Sequence, residues 1–463
     1  MRKSLALLII PPLLTACAVG PRYKRPAVQA PPQFRGVSDP ERAPSPQSLA
    51  DSKWFDLFQD DVLKQLVTTA LDENFDLRSA SERVLEARAQ LGRARWEQVP
   101  RLDATGEFQA VRNSKTAIPR LTSDYSFTEA GFSLGWEIDV WGRLRRLSEA
   151  ARAEYLASEE GRRGVVTTLV SDVMTSYFKL RELDLELDIA RKNRDIARDG
   201  LRLTQLRRDQ GVATGLDVRQ AEQFLYTATA QIASAERSIG QTENALSLLL
   251  GRSPGDIRRG KALEDFKAPP QVPAGLPSSL VERRPDIRQA EAGLVAANAR
   301  VGAARAEYFP QISLTGFLGV QSRALSNLFT GQARSQNLAP AGLLPILDAG
   351  RIHAEVRGAE ARKRETLIRY QKTVYTALRE VSDALIDYRK TAEQRAQQEL
   401  LVEALRETAR LASTRYTGGL DSYLQVLDAQ RNLFQGELLL ARLREQELAA
   451  IVELYRALGG GWS

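Results

Sequence analysis

Apolar and polar positions follow two rhythms along this chain, and the rhythm changes at proline. In RARWEQVPRLDATG, from Arg93 to Gly106, and again in ARAEYFPQISLTG, from Ala304 to Gly316, a charged, alanine-rich helical pattern passes through Pro100 or Pro310 into strict two-residue alternation. Leu102, Ala104, Gly106, Phe108 and Ala110 alternate with Asp103, Thr105, Glu107 and Gln109, and Ala130, Phe132, Leu134, Trp136 and Ile138 alternate with Glu129, Ser133, Glu137 and Asp139. Later, Ile312, Leu314, Gly316, Leu318 and Val320 alternate with Ser313, Thr315 and Gln321, and a weaker segment near Leu338 to Ile346 contains Pro340 and Pro345. Period two with one greasy and one polar face predicts strands of about ten residues.

The other rhythm is helical. Leu367, Tyr370, Val374, Ala377, Val381, Ala384 and Tyr388 recur at spacings of three and four, as do Leu169, Val173, Tyr177, Leu180, Leu183 and Leu187. That is the seam of a coiled coil. The two helical segments, Arg143 to Asp209 and Arg351 to Thr417, hold 67 residues each, enough to reach roughly 100 Å at the α-helical rise. Helices this long bury their faces only by packing side by side. Gly161 and Gly164 interrupt the first of them and not the second.

The same unit is written twice. Asp76 to Gly106 aligns without a gap on Asp286 to Gly316, and Gly211 to Gly251 aligns on Gly419 to Gly459 at an offset of 208. A tandem duplication organises the chain. Residues 1–16 read as a signal peptide, 17–75 as an N-terminal segment, and 76–251 as the first copy: helix, two strands, long helix, helix. Residues 252–285, rich in Pro and Gly, form a connector packed beside the repeats, 286–459 the second copy and 460–463 a tail.

Composition narrows the chemistry. One cysteine, one histidine (His353) and two methionines leave little for thiol or metal catalysis. The cysteine closes MRKSLALLIIPPLLTAC, a basic start, an apolar run and small residues, which is the layout of an export signal. Leu14-Thr15-Ala16-Cys17 also resembles a bacterial lipobox, and Ala18 after it points to the outer membrane. A covalent lipid on Cys17 is therefore expected, with no other cofactor. The net charge of +7 and pI near 9.4 belong to solvated helix faces, since an exported lipoprotein meets no nucleic acid. Clusters such as Arg143-Leu144-Arg145-Arg146 and Arg258-Arg259 suit lipid headgroups or a partner. There is no G-x-S-x-G and no Walker loop, and helix capping accounts for Asp139 and Asp348, so an enzyme is the weakest reading.

Four strands cannot close a barrel, and an open sheet edge in lipid leaves backbone groups unpaired. The chain must oligomerise, and two, three or four copies would give eight, twelve or sixteen strands.

Gly275 to Gly316 (GLPSSLVERRPDIRQAEAGLVAANARVGAARAEYFPQISLTG) and Arg415 to Phe434 (RYTGGLDSYLQVLDAQRNLF) resemble the TolC-like outer-membrane efflux proteins, in particular their lipoprotein branch. The resemblance implies a homotrimer in the outer membrane, its twelve-stranded β-barrel continuing as an α-helical barrel across the periplasm. It implies a passive exit duct for small molecules, served by a periplasmic adaptor that docks on the helical tips and by an inner-membrane transporter. The tips are the reversals at Gly211, Thr214 and Asp217 and at Gly418, Gly419 and Asp421, where glycine permits the turn and Asp217, Asp421 or Ser422 caps the returning helix. The resemblance also makes Tyr416, Asp428 and Arg431 the residues that tie neighbouring helices and narrow the periplasmic entrance. A local surface ion pair is the plainer reading of Asp428 and Arg431. Against the exit duct stand an outlet for secreted proteins, which the lipobox disfavours, and a pore-less coiled-coil lipoprotein, which the alternating segments disfavour.

Overall fold

A computed structural model describes residues 18–27, 31–35, 48–51, 55, 58–112, 125–267 and 275–460. The expected signal peptide, Cys17 and residues 461–463 lie outside them. The principal elements run α1 (Asp61–Glu73), α2 (Phe75–Trp96), β1 (Arg101–Val111), β2 (Tyr125–Ile138), α3 (Arg143–Asp209), α4 (Gly215–Leu249), α5 (Pro285–Ala306), β3 (Gln311–Ser322), β4 (Arg334–Leu343), α6 (Ala349–Thr417) and α7 (Tyr423–Ala457). Among the described residues, no helix is long and apolar enough to cross a membrane.

Two compact units emerge, and neither matches one half of the sequence. The first gathers residues 1–27, 83–159 and 289–370, the second 28–82, 160–288 and 371–463. Both long helices contribute to both units, because an element of 67 or 69 residues outruns any single core.

The first unit holds a four-stranded antiparallel sheet in the order β1-β2-β3-β4. The register sets Leu102, Leu134, Gly316 and Leu338 in one row and Ala104, Phe132 and Leu318 in the next. Leu102, Phe108, Phe132, Leu318 and Leu338 on that face are all exposed. The opposite face carries Asp103, Glu107, Glu129, Ser133 and Gln321, where Gln321 donates to Glu129. Phe317 departs from the polar pattern of that face, its ring lying over the Gly131 and Gly319 pair. Beneath the sheet α3 and α5 meet through Ala150, Ala153, Ala296 and Ala299, small residues that let two backbones approach closely.

Two strand boundaries differ from the sequence reading. Alternation marked β2 from Ala130, yet pairing with β1 begins at Tyr125. The fourth strand was expected near Leu338 to Ile346 and instead spans Arg334–Leu343, with Pro340 inside it and Pro345 beyond. Proline cannot donate to a ladder, and Pro340 stands opposite Leu314 in the last strand of this chain's sheet.

In the second unit Val173, Met174, Tyr177, Phe178 and Leu180 of α3 are buried with Leu63, Val67 and Ala70 of α1 and Leu246, Ile451 and Leu454 of α4 and α7. Phe178 packs edge-on against Phe58 and Phe266, ring centres 4.9 and 5.2 Å apart. Asp60 is a hub of this unit. It caps α1 by accepting from the Val62 and Leu63 amides at 2.8 and 3.0 Å, and it also accepts the Lys261 amide and the Tyr177 hydroxyl. The connector is thereby fastened to the helices, with Arg259 paired to Asp184 and Glu243. Glu182 is wholly buried, and burial pushes its carboxyl up to about 7 against the pull of Lys179, whose ammonium lies 2.6 Å away.

Candidate functional site

The helix reversals at α3–α4 and α6–α7 share one backbone plan. In the first, the Val212 amide donates to Arg207 O at 2.8 Å and the Gly211 amide to Arg208 O at 2.9 Å. In the second, the Leu420 amide donates to Arg415 O at 2.9 Å and the Gly419 amide to Tyr416 O at 3.0 Å. Gly211 and Gly419 have φ of 76° and 75°, so each helix ends in a Schellman motif with glycine in the left-handed position. The sequence placed both glycines correctly.

Side chains then treat the two reversals differently. Thr214 caps α4 in a closed capping box: the Asp217 amide donates to Thr214 Oγ1 at 3.2 Å and the Thr214 amide to Asp217 Oδ2 at 2.7 Å. Asp217, expected to be a cap, is thus the reciprocal partner of the cap. Ser422 occupies the same place before α7 and makes no side-chain capping bond, contrary to the expectation from residue type. Asp421 does not cap either. It pairs with Arg415 across the turn, whose hydrogen bond holds the Asp421 carboxyl below the usual range. Gly418 lies between, its amide donating to Thr414 O at 3.1 Å.

Tyr416 points into the unit. It is buried with Tyr423, Phe224, Ala197, Ala221, Val426 and Leu427. Its ring lies 5.2 Å from that of Tyr423 and 4.1 Å below the Arg207 guanidinium. Burial raises the Tyr423 hydroxyl above its ordinary pKa, against a hydrogen bond with Thr204. Asp428 and Arg431, by contrast, are exposed and bonded to one another at 2.5 Å on one helix face. The structure therefore brings Asp428 and Arg431 together and sets Tyr416 apart in the core.

Sequence reasoning passed over Arg207 and the exposed apolar residues at the reversals, Val212 and Leu216 in the first and Leu420 and Leu424 in the second. The signal was present: Val212 and Leu420, like Leu216 and Leu424, coincide at the offset of 208, outside any helical stripe.

A third feature lies in the first unit, where strands meet helices. Trp141 stacks on Phe309 at 4.7 Å and donates to Pro310 O at 2.8 Å, and Arg143 binds Glu137 through both ends of its guanidinium. These groups line a cavity of about 350 Å³. Asp139 receives the Leu144 and Arg145 amides at the start of α3, the capping role expected of it. Asp348 pairs instead with the Arg351 side chain. His353 is exposed, 3.4 Å from the Tyr308 hydroxyl. The N-terminal segment docks here too, the Val19 amide donating to Trp141 O at 2.9 Å and Ala18 lying against Gly142, where a side chain would collide.

Comparison with known proteins follows the same lines. The profile of the outer membrane efflux protein family matches residues 66–252 and again 276–460. The solvent efflux pump outer membrane protein SrpC of Pseudomonas putida is 38% identical over 458 residues, 97% of either chain. The cation efflux system protein CusC of Escherichia coli is 35% identical over 450 residues, covering 97% of this chain and 96% of the other. Among solved structures, the outer-membrane channel OprN superposes with a TM-score of 0.90 at 30% identity, over 96% of this chain and all of its own. The chain belongs to the outer membrane efflux protein family and is an outer-membrane component of an efflux system.

Proposed function

We propose that the chain is the exit duct of a tripartite efflux system, a homotrimer whose twelve strands close a β-barrel in the outer membrane above a helical tunnel in the periplasm. The observation that carries this reading is the sheet. It bears an exposed apolar face, and β1 and β4 each have one edge with no strand beside it among the described residues. Such an edge is tolerable in lipid only when another copy pairs with it. The recurrence of helix, two strands, long helix and helix in both halves supports a tandem duplication, so that three chains supply six equivalent hairpins.

The duct is passive. An inner-membrane transporter supplies the energy, and a periplasmic adaptor docks on the apolar tips formed by Val212, Leu216, Leu420 and Leu424. Relatives named for solvent and cation efflux make small solutes the cargo class. Cys17 carries the lipid. Its neighbour Ala18 lies against Gly142, between β2 and α3, which supports a lipid anchor at this end of the sheet. Asp428 and Arg431, exposed within the first three turns of α7, narrow the entrance when three copies surround one axis.

The test is a pair of strand variants. Leu134→Arg puts a charge on the apolar face, costing about 2–4 kcal/mol near the bilayer centre, and should abolish assembly of heat-resistant trimers. Ser133→Arg, on the other face, should assemble and conduct in planar bilayers. Equal assembly of both variants contradicts the barrel.

A further inference from the structure

The seam between the two hairpins of the chain, where β2 pairs with β3, is gripped at its helix end. Trp141, in the link from β2 to α3, stacks on Phe309, in the link from α5 to β3, at 4.7 Å and donates to Pro310 O at 2.8 Å. Ala306, the last residue of α5, lines the same cavity and is 4% exposed.

The duplication writes these two junctions a second time, at the outer strands of the sheet. At an offset of 210 Phe309 and Ala306 correspond to Val99 and Trp96, where α2 passes into β1, and at the offset of 208 Trp141 corresponds to Ala349, where β4 passes into α6. The antiparallel register puts the start of β1 and the end of β4 at the same end of the sheet as the in-chain pair, but on opposite sides of it. Here the apolar groups are bare. Trp96 is 73% exposed, and Ile346 and Leu347, just before Ala349, are exposed as well. Bulk has also changed position: the in-chain seam has rings at 141 and 309 and a small residue at 306, whereas the outer junctions have small residues at 349 and 99 and an indole at 96.

We propose that Trp96 of one copy packs on the link between β4 and α6 of the next copy, against Ile346, Leu347 and Ala349, and so closes between copies the seam that Trp141 and Phe309 close within each chain. The inference rests on the barrel of several copies and names the contact that joins them at the helix end of their strands. The occupant is a second copy because the surface continues the open edge of β4, and each chain carries the complementary junction at the edge of β1. Such a head-to-tail contact closes a ring. The indole fills what alanine at 349 and valine at 99 leave open.

Two measurements on the full-length protein purified in detergent test this. Val99→Cys with Ala349→Cys, treated with a short bismaleimide, should give cross-linked dimers and trimers on denaturing gels, and either cysteine alone should not, because the width of the sheet separates the two positions within one chain. Trp96→Ala should speed dissociation of the trimer by about tenfold or more, as loss of an interface tryptophan does, and the chain's own fold should hold because the side chain is exposed there. The triple variant Trp96→Ala, Val99→Phe, Ala349→Trp copies the in-chain arrangement onto the outer junctions and should restore slow dissociation, since the three residues act in one contact. If Trp96→Ala gives no trimer to time, the cross-link decides alone. Stable trimers without the cross-link, or wild-type dissociation in Trp96→Ala, overturn the contact and leave the barrel standing, with Trp96 facing lipid. A wild-type chain that stays a monomer rejects the barrel and the contact together.

Discussion

The two helix reversals have the same backbone and opposite fastenings. At Gly211 the returning helix begins with a capping box closed within four residues, Thr214 to Asp217, and its Ala221 and Phe224 share the buried cluster of Tyr416 and Tyr423. At Gly419 the local cap is missing, and the turn is held by Arg415 on Asp421, by Tyr416 and Tyr423 in a buried cluster, and by Arg207 reaching from α3. A self-capped turn moves only as a piece. A turn that has no local cap is held by its side-chain contacts alone, so the proposed entrance is expected to have its moving part at the second reversal.

Four experiments break or sharpen that contrast, and the first three fall in order of effect. Tyr423→Ala empties the space its hydroxyl fills against Gly200 of α3 and removes its contact with the Tyr416 ring, and removal of a buried ring costs about 3–5 kcal/mol. Hydrogen exchange should show loss of protection at the ends of α6 and α7, with the α4 start unchanged; equal loss at both reversals would erase the distinction.

Next come matched cap deletions. Thr214→Ala should cost about 1 kcal/mol and fray the first turn of α4. Ser422→Ala should fall within about 0.5 kcal/mol of wild type, as substitutions that break no specific contact do. If Ser422→Ala proves the more costly, the second reversal has a cap that the geometry does not show.

The smallest effect is electrostatic. Asp421 is fully exposed, and the Arg415 hydrogen bond depresses its pKa. Its contribution is therefore complete above the unfolded carboxylate value, near pH 4, and is lost as pH falls through the lower, folded value. Protection of the Gly418 and Gly419 amides, relative to their intrinsic exchange at each pH, should fall on acidification below about pH 4, and Asp421→Asn should remove that step while leaving the Gly211 amide unaffected.

The contrast also marks how far the sequence could be read. α3 runs from Arg143 to Asp209 as its periodicity required, and α6 starts at Ala349, close to the expected Arg351, because a seam sustained over so many turns leaves no alternative structure. Gly161 and Gly164 lie within α3 without breaking it, since neighbouring turns carry the helix across them. β4 was placed late, near Leu338 to Ile346, because alternation there is weak, and it begins at Arg334 with Pro340 inside it. Backbone reversals were legible in Gly211 and Gly419, whose positive φ few other residues adopt.

Side-chain direction was not. Tyr416 and Arg207 are distant in sequence, and only the packing of α3 against the reversal shows that they stack. The hint was Gly200, a glycine inside a long helix whose counterpart at the offset of 208 is Thr408. Ser422 shows the converse limit: residue type allowed a cap, and the turn formed without one.

The fourth experiment bears most directly on the claim that the second reversal is the moving part. Spin labels at Val212→Cys or Leu420→Cys, both exposed and one at each reversal, report distances between copies of the chain by pulsed electron paramagnetic resonance. Introducing Asp428→Ala and Arg431→Ala together should shift the Leu420 distribution to longer distances and leave that of Val212 unchanged. Equal displacement at both sites, or none at Leu420, would contradict the account.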